Sequence, residues 1–330
     1  MKLGFIGLGR MGKAMVLHLL EEGVDVVAFN RSKEKTKELV ISHQSLVIGK
    51  KNNDQRPKTK DKELGHLYPA YSIEELIRYL ESPRLIWLMV PSGGPVDEMI
   101  KKLIAAGITK DDIVIDGGNS FYKDSIRRYH YLLDKEVNFL DVGTSGGLEG
   151  ARNGACLMVG GDKTVYNRVR PYFEAMGQVG GVGYFGPSGA GHFVKMIHNA
   201  IEYGMMGAIA EGFNLVRSKQ FAVGSNSEFK IDLAKLAKVW ANGSIISGLL
   251  MNMAAQAFDK DPELNAISGE VPKGETEAEM EWLASTGISH PVIAQARIER
   301  VQTRSKPSFI GKVIAALRNE FGGHEVKKSV

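Results

Sequence analysis

An apolar run followed at once by spaced glycines opens the chain, and this feature constrains the fold more than any other. In KLGFIGLGRMGKAMVLHLLEEG, Gly7, Gly9 and Gly12 follow a predicted strand and begin a predicted helix. In that context GxGxxG is typical of a dinucleotide-binding βαβ unit. The first glycine permits a tight turn, the second lets a pyrophosphate approach the backbone, and the third lets helix and strand pack closely. We therefore predict a Rossmann-like nucleotide-binding domain here.

Short apolar runs continue to alternate with helical stretches up to about residue 180: VDVVAF, RLIWLMV, DIVIDGG, NFLDVG and ACLMVGG. Such alternation predicts a mostly parallel sheet with helices on both faces. After GQVGGVGYFGPSGAG, which we interpret as a glycine-rich hinge, only long helical periodicity remains. We predict an α/β doubly wound, Rossmann-like domain over residues 1–180, followed by an all-α domain for substrate binding and oligomerisation over residues 181–330.

The composition is that of a globular protein and requires neither a nucleic acid nor a membrane as partner. The 330 residues are 43% hydrophobic and 24% charged, and 42 basic residues nearly balance 38 acidic ones, which leaves a net charge of +4. A mild positive excess suits an anionic small molecule. The single cysteine, Cys156, lies in an apolar run and is expected to be a small buried hydrophobe. With no signal-like or membrane-spanning run, we expect a cytoplasmic protein.

One segment stands apart by its polarity. Residues 49–66, GKKNNDQRPKTKDKELGH, are rich in lysine and contain a proline. They are interpreted as a surface loop, with a basic contact patch as the alternative.

The residues after the second predicted strand bear on cofactor choice. NAD-specific sites place an acidic residue there, on the ribose 2′-hydroxyl. This chain has Asn30 instead, which would not repel a 2′-phosphate, and Arg31 and Ser32 could bind one. We predict a preference for NADP, with NAD possible; the alternative is that Arg31 points into solvent. The predicted cofactor contacts are Gly7, Leu8, Gly9, Arg10, Met11, Gly12, Asn30, Arg31, Ser32, Val90 and Asn119.

A polar stripe on one helix is the main candidate for chemistry. In KMIHNAIEYG, Lys195, His198, Asn199 and Glu202 stand at offsets 0, 3, 4 and 7, which is one helix face. From residue 189 to 215 the other residues are almost all uncharged, so the helix is predicted to be buried. A lysine and a carboxylate in a buried helix usually have a partner or a function. A functional stripe is therefore favoured over a solvated face.

Two loops offer further candidates. In DVGTSGGLEGARNG, Ser145, Gly146 and Gly147 could bring backbone amides close to an anionic group of a substrate. Asn119 ends the stretch DGGNS, where its amide could bind substrate or nicotinamide, or could form an Asx turn. Both interpretations of Asn119 remain open.

The order GLGRMG, SGG and GPSGAGHFVKMIHN resembles the β-hydroxyacid dehydrogenase superfamily. Within it, KMIHNAIEYG and the tail ALRNEFGGHEV resemble 6-phosphogluconate dehydrogenase in its short bacterial form, over nearly the whole chain. The resemblance implies oxidative decarboxylation of 6-phosphogluconate, a phosphorylated sugar acid, to ribulose 5-phosphate and CO2 with NADP or NAD. This is a step of the pentose phosphate pathway and of gluconate utilization.

The resemblance also assigns roles. Lys195 is implied to be the acid/base lysine and Glu202 the second acid. The tail is implied to reach the site of a neighbouring subunit, so a homodimer or larger homo-oligomer is expected. The residues implied to hold the substrate are Ser145, Gly146, Gly147, His198, Asn199 and Tyr203, together with Arg318 and His324 of the tail.

Elementary chemistry supports these roles. A lysine can take the hydroxyl proton if burial and nearby positive charge lower its pKa, and once protonated it can stabilise an enolate after CO2 leaves. Glu202, on the same face as Lys195, could then protonate carbon. No compact set of histidines and carboxylates has metal-ligand spacing, so we expect no metal.

A substrate with a carboxylate and a phosphate requires cations. Arg297, Arg300 and Arg304 share one helix face, and Lys273 is a fourth candidate. The resemblance favours Arg300, and a solvated basic face is the alternative for the other two arginines. The preceding stretch SGEVPKGETEAEMEW departs from the family because Lys273 is displaced and no tryptophan stands in register.

Two other functions compete. A non-decarboxylating β-hydroxyacid dehydrogenase would act on a small 3-hydroxy acid, but it would need neither Glu202 nor the cationic tail. A catalytically inert NADP-binding sensor is the second alternative, and retention of Lys195 and Glu202 argues against it. A nucleic-acid module is disfavoured because the basic segment lacks interleaved aromatic residues.

Overall fold

A computed structural model describes residues 1–52, 63–218, 231–274 and 276–329. The chain divides into two compact units, Met1–Met196 (unit 1) and Ile197–Val330 (unit 2). Ten residues of the lysine-rich segment, 53–62, lie outside the described residues. The first residues of that segment, through Asn52, end a helix rather than form a loop.

Unit 1 is built on one eight-stranded sheet with the order β3-β2-β1-β4-β5-β6-β7-β8. Pairing is parallel throughout except between β6 and β7, which are antiparallel. The order of the first six strands is that of a doubly wound dinucleotide-binding sheet, so the predicted fold class is confirmed. The strands are β1 Leu3–Ile6, β2 Val26–Phe29, β3 Leu67–Ala70, β4 Leu85–Leu88, β5 Ile113–Asp116, β6 Asn138–Ser145, β7 Ala155–Gly161 and β8 Gly177–Gly186.

Helices cover both faces of this sheet. Successive side chains of a strand point to opposite faces, and β1 accordingly places Phe5 in one apolar cluster and Ile6 in another. Burial on both faces explains why the strands are continuous apolar runs rather than alternating ones. The helices of unit 1 are α1 Arg10–Glu21, α2 Lys33–Asn52, α3 Ile73–Tyr79, α4 Gly94–Ala105, α5 Tyr122–Leu133, α6 Gly147–Asn153 and α7 Lys163–Met176.

The first ten residues of the glycine-rich stretch that we interpret as a hinge form strand β8, which its sequence did not predict. Glycine weakens a strand because it has no side chain to pack. Backbone pairing with β7 nevertheless holds β8, with Leu157 opposite Val182 and Val159 opposite Tyr184. The predicted domain boundary after residue 180 falls inside this strand, whereas the chain divides between residues 196 and 197.

Cys156 is exposed, which corrects the expectation of a buried hydrophobe. It lies near the start of β7 and pairs across the strands with Ser145. Because side chains alternate along a strand, Cys156 points away from the face on which Ala155 and Leu157 are buried. The apolar run alone could not indicate which face each residue would take.

Unit 2 is helical, as predicted. Long α8, Ala190–Arg217, begins in unit 1 and continues into unit 2. Phe213 of α8 lies with its ring centroid 4.8 Å from that of Phe258 and 5.4 Å from that of Trp240 in the apolar core. Among the described residues, no helix is both long and apolar enough to cross a membrane. The other helices are α9 Leu233–Ala241, α10 Leu249–Lys260, α11 Glu277–Ser285, α12 Pro291–Gln302 and α13 Phe309–Gly322.

Candidate active site

Glycine occupies each of the three positions after β1 for a different structural reason. Gly7 has a φ of +104°, and a Cβ there would lie 2.1 Å from the Met89 carbonyl oxygen. A Cβ on Gly12 would lie 1.9 Å from the Gly7 carbonyl oxygen, so α1 packs directly on the turn. A Cβ on Gly9 would meet no atom of the described residues within 4 Å. The backbone at Gly9 is thus open to a ligand at the start of α1, which fits a dinucleotide pyrophosphate.

Asn30, at the end of β2, braces this glycine turn. Its Oδ1 accepts from the Leu8 N–H at 2.9 Å, and its Nδ2 donates to the Ser32 carbonyl at 3.2 Å. Leu8 itself is buried. The side chain predicted only as a neutral replacement for a carboxylate therefore also fixes the loop.

A carboxylate that the sequence analysis missed lies beside the predicted 2′-phosphate contacts. The Ser32 hydroxyl donates to Glu34 at 2.7 Å, and this hydrogen bond lowers the pKa of the Glu34 carboxyl. Arg31 is exposed, as the alternative interpretation supposed. The signal for Glu34 was its position in the first turn of α2, where acidic residues are favoured.

Val90 and the Asn119 turn adjoin the glycine turn, as expected for neighbouring parallel strands. A Cβ on Gly7 would lie 3.3 Å from the Val90 side chain, and one on Gly118 would lie 3.1 Å from the Val90 carbonyl. In the Asn119 turn, Asp116 makes an Asx-type contact, because its Oδ1 accepts from the Gly118 N–H at 3.2 Å. The structure thus assembles Gly7, Val90 and the Asn119 turn within unit 1.

A buried arginine holds this turn. Arg128 donates from Nη1 to Asp116 and to the Ser120 hydroxyl, each at 3.1 Å, and from Nε to Asp97 at 2.8 Å. Arg128 is 1% exposed and Asp116 is fully buried. Removing either partner would leave a buried charge uncompensated. The sequence signals were an aspartate closing the apolar run IVID and an arginine on the inner face of α5.

Lys195 packs directly on β6. A Cβ on Gly143 would lie 2.3 Å from the Lys195 Cβ, so glycine at this position makes room for the lysine. Two residues further along β6 is Ser145, followed by Gly146 and Gly147 with φ values of +116° and +61°. The Thr144 hydroxyl donates to the Gly117 carbonyl at 3.0 Å. The Ser145 loop, Lys195 and the Asn119 turn therefore belong to one neighbourhood of unit 1.

The polar stripe of α8 is not a solvated face. Lys195, Asn199 and Tyr203 are 8%, 6% and 6% exposed, whereas the apolar Ile201 and Met205 are 52% and 51% exposed. His198 and Glu202 are half-buried, with 4.0 Å between His198 Nδ1 and Glu202 Oε2. This inverts the usual amphipathic arrangement of a surface helix.

Two buried arginines and a tyrosine converge in unit 2. The Nη2 atoms of Arg300 and Arg318 lie 3.0 and 3.3 Å from the position that a Cβ on Gly274 would take, and the Tyr203 hydroxyl lies 4.0 Å from it. The Arg300 guanidinium also lies 4.3 Å from the centroid of the Tyr203 ring. We call Arg300, Arg318 and Tyr203 the arginine cluster.

The cluster is electrostatically costly. Arg300 and Arg318 are 4% and 6% exposed. Burial, and secondly the charge of Arg300, lowers the pKa of Arg318 to about 10, and burial lowers the pKa of Arg300. Arg300 Nε is buried with no hydrogen-bond partner among the described residues. Two adjacent desolvated cations favour an anionic ligand, which would compensate both.

The other predicted cations differ from these two. Arg304 forms a two-pronged ion pair with Glu277, one contact measuring 2.9 Å, and this pairing lowers the pKa of Glu277. Arg297 lies 3.4 Å from Glu281, and Lys273 is exposed. Of the four candidates, Arg300 alone lies in the arginine cluster within the described part of the chain.

The tail helix α13 contributes Arg318 to this cluster in the same chain. Arg318 Nη1 donates to the Pro272 carbonyl at 3.2 Å, and the buried residues Val313, Ile314 and Leu317 place α13 in the core of unit 2. The resemblance implies a contribution to a neighbouring subunit, whereas this contact needs no second chain. His324 is exposed, and its ring centroid lies 5.7 Å from that of Phe321.

Among the described residues, no group of three or more histidine, cysteine, aspartate or glutamate side chains is arranged to hold a metal ion.

Four buried polar residues near the candidate site lie outside the predicted set. The missed residues are Asp116, Arg128, Asp141 and His192, all buried and polar.

Comparisons with known proteins agree with the motifs. A family model described as the NAD binding domain of 6-phosphogluconate dehydrogenase matches residues 2–186. A second model, the C-terminal domain of 6-phosphogluconate dehydrogenase, matches residues 191–223.

Two relatives align along nearly their whole length. YqeC of Bacillus subtilis, provisionally named as a 6-phosphogluconate dehydrogenase, is 38% identical over 99% of this chain and 100% of its own length. The NAD(+)-dependent, decarboxylating 6-phosphogluconate dehydrogenase of Haloferax volcanii is 34% identical over 99% of each chain.

Solved structures share the fold. Plasmodium falciparum 6-phosphogluconate dehydrogenase, solved apo, with NADP+ and with 6-phosphogluconate, has a TM-score of 0.76 and 30% identity over 93% of this chain. This chain spans 62% of that longer protein. A Mycobacterium tuberculosis 3-hydroxyisobutyrate dehydrogenase has a TM-score of 0.67 and 20% identity over 96% of this chain and 99% of that one, which indicates the fold alone.

Proposed function

The chain belongs to the 6-phosphogluconate dehydrogenase family, and from this premise we propose that it converts 6-phosphogluconate to ribulose 5-phosphate and CO2 with NADP as preferred acceptor and NAD as a possible one. The reaction would belong to the pentose phosphate pathway in the cytoplasm, as the family resemblance implies. A homodimer or larger homo-oligomer is part of the same proposal.

The observation that carries this proposal is the arginine cluster. Arg300 and Arg318 are both buried beside Tyr203, and within the described part of the chain neither donates a hydrogen bond to a carboxylate. A phosphate carries up to two negative charges and suits paired guanidinium groups. A small 3-hydroxy acid has one carboxylate and would leave this excess of buried positive charge uncompensated. The cluster therefore favours a phosphorylated sugar acid.

Helix α8 supplies the groups for proton transfer. Lys195 would take the proton of the substrate hydroxyl, and a bound nicotinamide would supply the hydride acceptor. The protonated Lys195 then stabilises the enolate oxygen that forms when CO2 leaves. Glu202 follows Lys195 by seven residues, about two turns along the same face, and donates a proton to carbon to give the ketone. Turnover in this scheme leaves Lys195 protonated and Glu202 ionised, so one proton must pass from Lys195 to Glu202, directly or through solvent, before the next cycle.

Other predicted residues bind and orient. Asn119, Ser145, Gly146 and Gly147 of unit 1 would hold the reacting end of the substrate, with His198 and Asn199 from α8. The glycine turn and Val90 would hold the dinucleotide, and Arg31 with Ser32 would take its 2′-phosphate. The proximity of Glu34 to Ser32 opposes that last contact, so the proposed NADP preference depends on the Arg31 charge.

The deciding experiment is an initial-rate assay of the purified protein with 6-phosphogluconate, NADP or NAD, and trapping of CO2. We expect reduction of the acceptor with an equal amount of CO2, and faster reduction of NADP than of NAD. Reduction of the acceptor by small 3-hydroxy acids, with no turnover of 6-phosphogluconate, would instead establish the non-decarboxylating alternative. Absence of reduction with every substrate would favour the inert nucleotide-binding protein.

A further inference from the structure

A buried histidine, His192, joins the first turn of α8 to the Asn119 turn. It is 1% exposed, with Nδ1 at 2.7 Å from Ser125 Oγ and Nε2 at 3.2 Å from the Gly118 carbonyl oxygen. A carbonyl can only accept, so Nε2 carries a proton, and Nδ1 shares a hydrogen bond with the Ser125 hydroxyl. Both ring nitrogens are therefore engaged within unit 1.

The backbone of His192 is fixed as firmly as its ring. Asp141 of β6 is fully buried and accepts from the His192 N–H at 2.9 Å and from the Gly189 N–H at 2.6 Å. A carboxylate that accepts from N–H groups at a helix start stabilises that end of the helix. Lys195 follows three residues later on the same side of α8, against Gly143 of the same strand. The imidazole and the lysine therefore project from one anchored helix turn.

The other end of this link is the peptide group before Asn119. Asp116 accepts from the Gly118 N–H, and Thr144 donates to the Gly117 carbonyl. The Gly118 carbonyl, which belongs to the peptide plane that leads into Asn119, is held by His192. Rotation of that plane would redirect the Asn119 side chain, and the His192 bond opposes the rotation.

We propose that His192 is a positioning residue that sets Asn119 relative to Lys195. The inference rests on the proposed function, because Asn119 is assigned there to the reacting end of the substrate. His192 acts through Asn119 and does not touch substrate. Such a link matters because a misplacement of about 1 Å can cost on the order of 100-fold in rate.

Two variants of His192 distinguish the effect of the Nε2 contact from that of the Nδ1 contact. His192→Gln keeps an N–H donor at the reach of Nε2, whereas His192→Asn keeps a polar group only at the level of Nδ1. We expect His192→Asn to lower kcat about 10- to 100-fold with KM for 6-phosphogluconate changed less than about 3-fold, and His192→Gln to retain kcat within about 3-fold. Val169→Ala, which truncates a buried residue of α7, is the control for lost stability without lost kcat.

A double variant tests whether His192 acts through Asn119. If it does, adding His192→Asn to Asn119→Ala lowers kcat no further, because the residue that His192 positions is already absent. Amide hydrogen exchange over residues 117–121 should also be faster in His192→Asn than in His192→Gln. This second measurement requires no catalytic activity.

Several results would overturn the inference: wild-type kcat in His192→Asn, additive losses in the double variant, or equal losses in the Asn and Gln variants. Unchanged exchange over residues 117–121 in His192→Asn would also do so. If the wild-type protein does not turn over 6-phosphogluconate, the proposed function fails, whereas the exchange measurement still decides whether His192 holds the turn.

Discussion

The Cβ of Lys195 lies 2.3 Å from where a Cβ on Gly143 would stand, so the lysine of α8 rests on the bare backbone of β6. The contact joins the two elements that carry the predicted acid/base residue and the Ser145 loop. It also makes position 143 sensitive to the addition of a single carbon atom.

Gly143→Ala should therefore impair catalysis. The added methyl group meets Lys195 Cβ and Cγ, and α8 must shift or Lys195 must turn. We expect kcat to fall at least about 10-fold, since displacements near 1 Å can cost on the order of 100-fold. The control is Gly212→Ala, on α8 with Lys195, where a Cβ would meet no described atom within 4 Å. Equal kcat values in the two variants would contradict the prediction.

Arg318→Met should weaken the binding of 6-phosphogluconate and stabilise the folded protein. Replacing a buried cation by an apolar side chain of similar length removes its desolvation cost, and such changes can stabilise by about 1–4 kcal/mol. We expect a higher melting temperature and, on loss of a phosphate contact, weakening of 6-phosphogluconate binding by about 2–5 kcal/mol, measured by calorimetry. Arg297→Met, at a half-buried arginine paired with Glu281 outside the arginine cluster, should change both quantities less.

The gain from Arg318→Met should also depend on pH. Burial lowers the folded-state pKa of Arg318 to about 10, well below that of an exposed guanidinium. Between these values the unfolded chain binds more protons, so the wild-type protein gains stability from this group as pH rises through about 10. The difference in melting temperature between the variant and the wild type should shrink there. A difference that grows with pH would mean that burial does not depress this pKa.

Mixed oligomers can test whether Arg318 serves its own chain. The cluster with Arg300 and Tyr203 forms within one unit of one chain. We therefore expect that co-expressed chains carrying Lys195→Met and Arg318→Met, purified together through two different tags, stay inactive. If the tail served the neighbour, each mixed oligomer would contain one intact site. Recovery of activity in the doubly tagged fraction would contradict the prediction.

Glu34→Gln should strengthen the binding of NADPH without affecting NADH. The carboxylate lies beside Ser32, where the 2′-phosphate is proposed to bind, and two like charges at an exposed site repel each other weakly. We expect a decrease of up to about 5-fold in Kd for NADPH, measured by nucleotide fluorescence. Glu38→Gln, one helical turn further along α2 and also exposed, is the matched control. Equal changes in Kd for NADPH and NADH would show that the Glu34 charge does not act on the 2′-phosphate.

The sequence predicted those features that local patterns determine. The glycine turn, the parallel sheet and the helical second unit follow from spacing and periodicity, and the polar stripe of α8 stood out because its surroundings are apolar. Strand β8 was missed because its glycines favour a turn locally, while pairing with β7 decides its conformation. Strand β3 contains a proline, which is disfavoured inside a sheet, but it forms at the opposite edge because it pairs with β2.

Long-range partners were harder to predict. The pairing of Arg128 with Asp116 and Asp97 links α5 to the end of β5 and to α4, and no local spacing indicates it. The exposure of Cys156 depends on which face of β7 it takes. The proximity of Arg300 and Arg318 depends on the tertiary positions of α12 and α13, so the sequence does not distinguish either arginine from a surface cation.

The hydrogen bond from the Leu8 N–H to Asn30 Oδ1 has an evolutionary consequence. Aspartate is nearly isosteric with asparagine, so Asn30→Asp would keep the acceptor for the Leu8 N–H, lose the donor to the Ser32 carbonyl, and add the charge that NAD-specific sites use. If position 30 reads the ribose as proposed, a change of coenzyme there requires one substitution that keeps the bond from the Leu8 N–H. During evolution, such a protein could therefore change its preference between NADP and NAD by one substitution while it still folds.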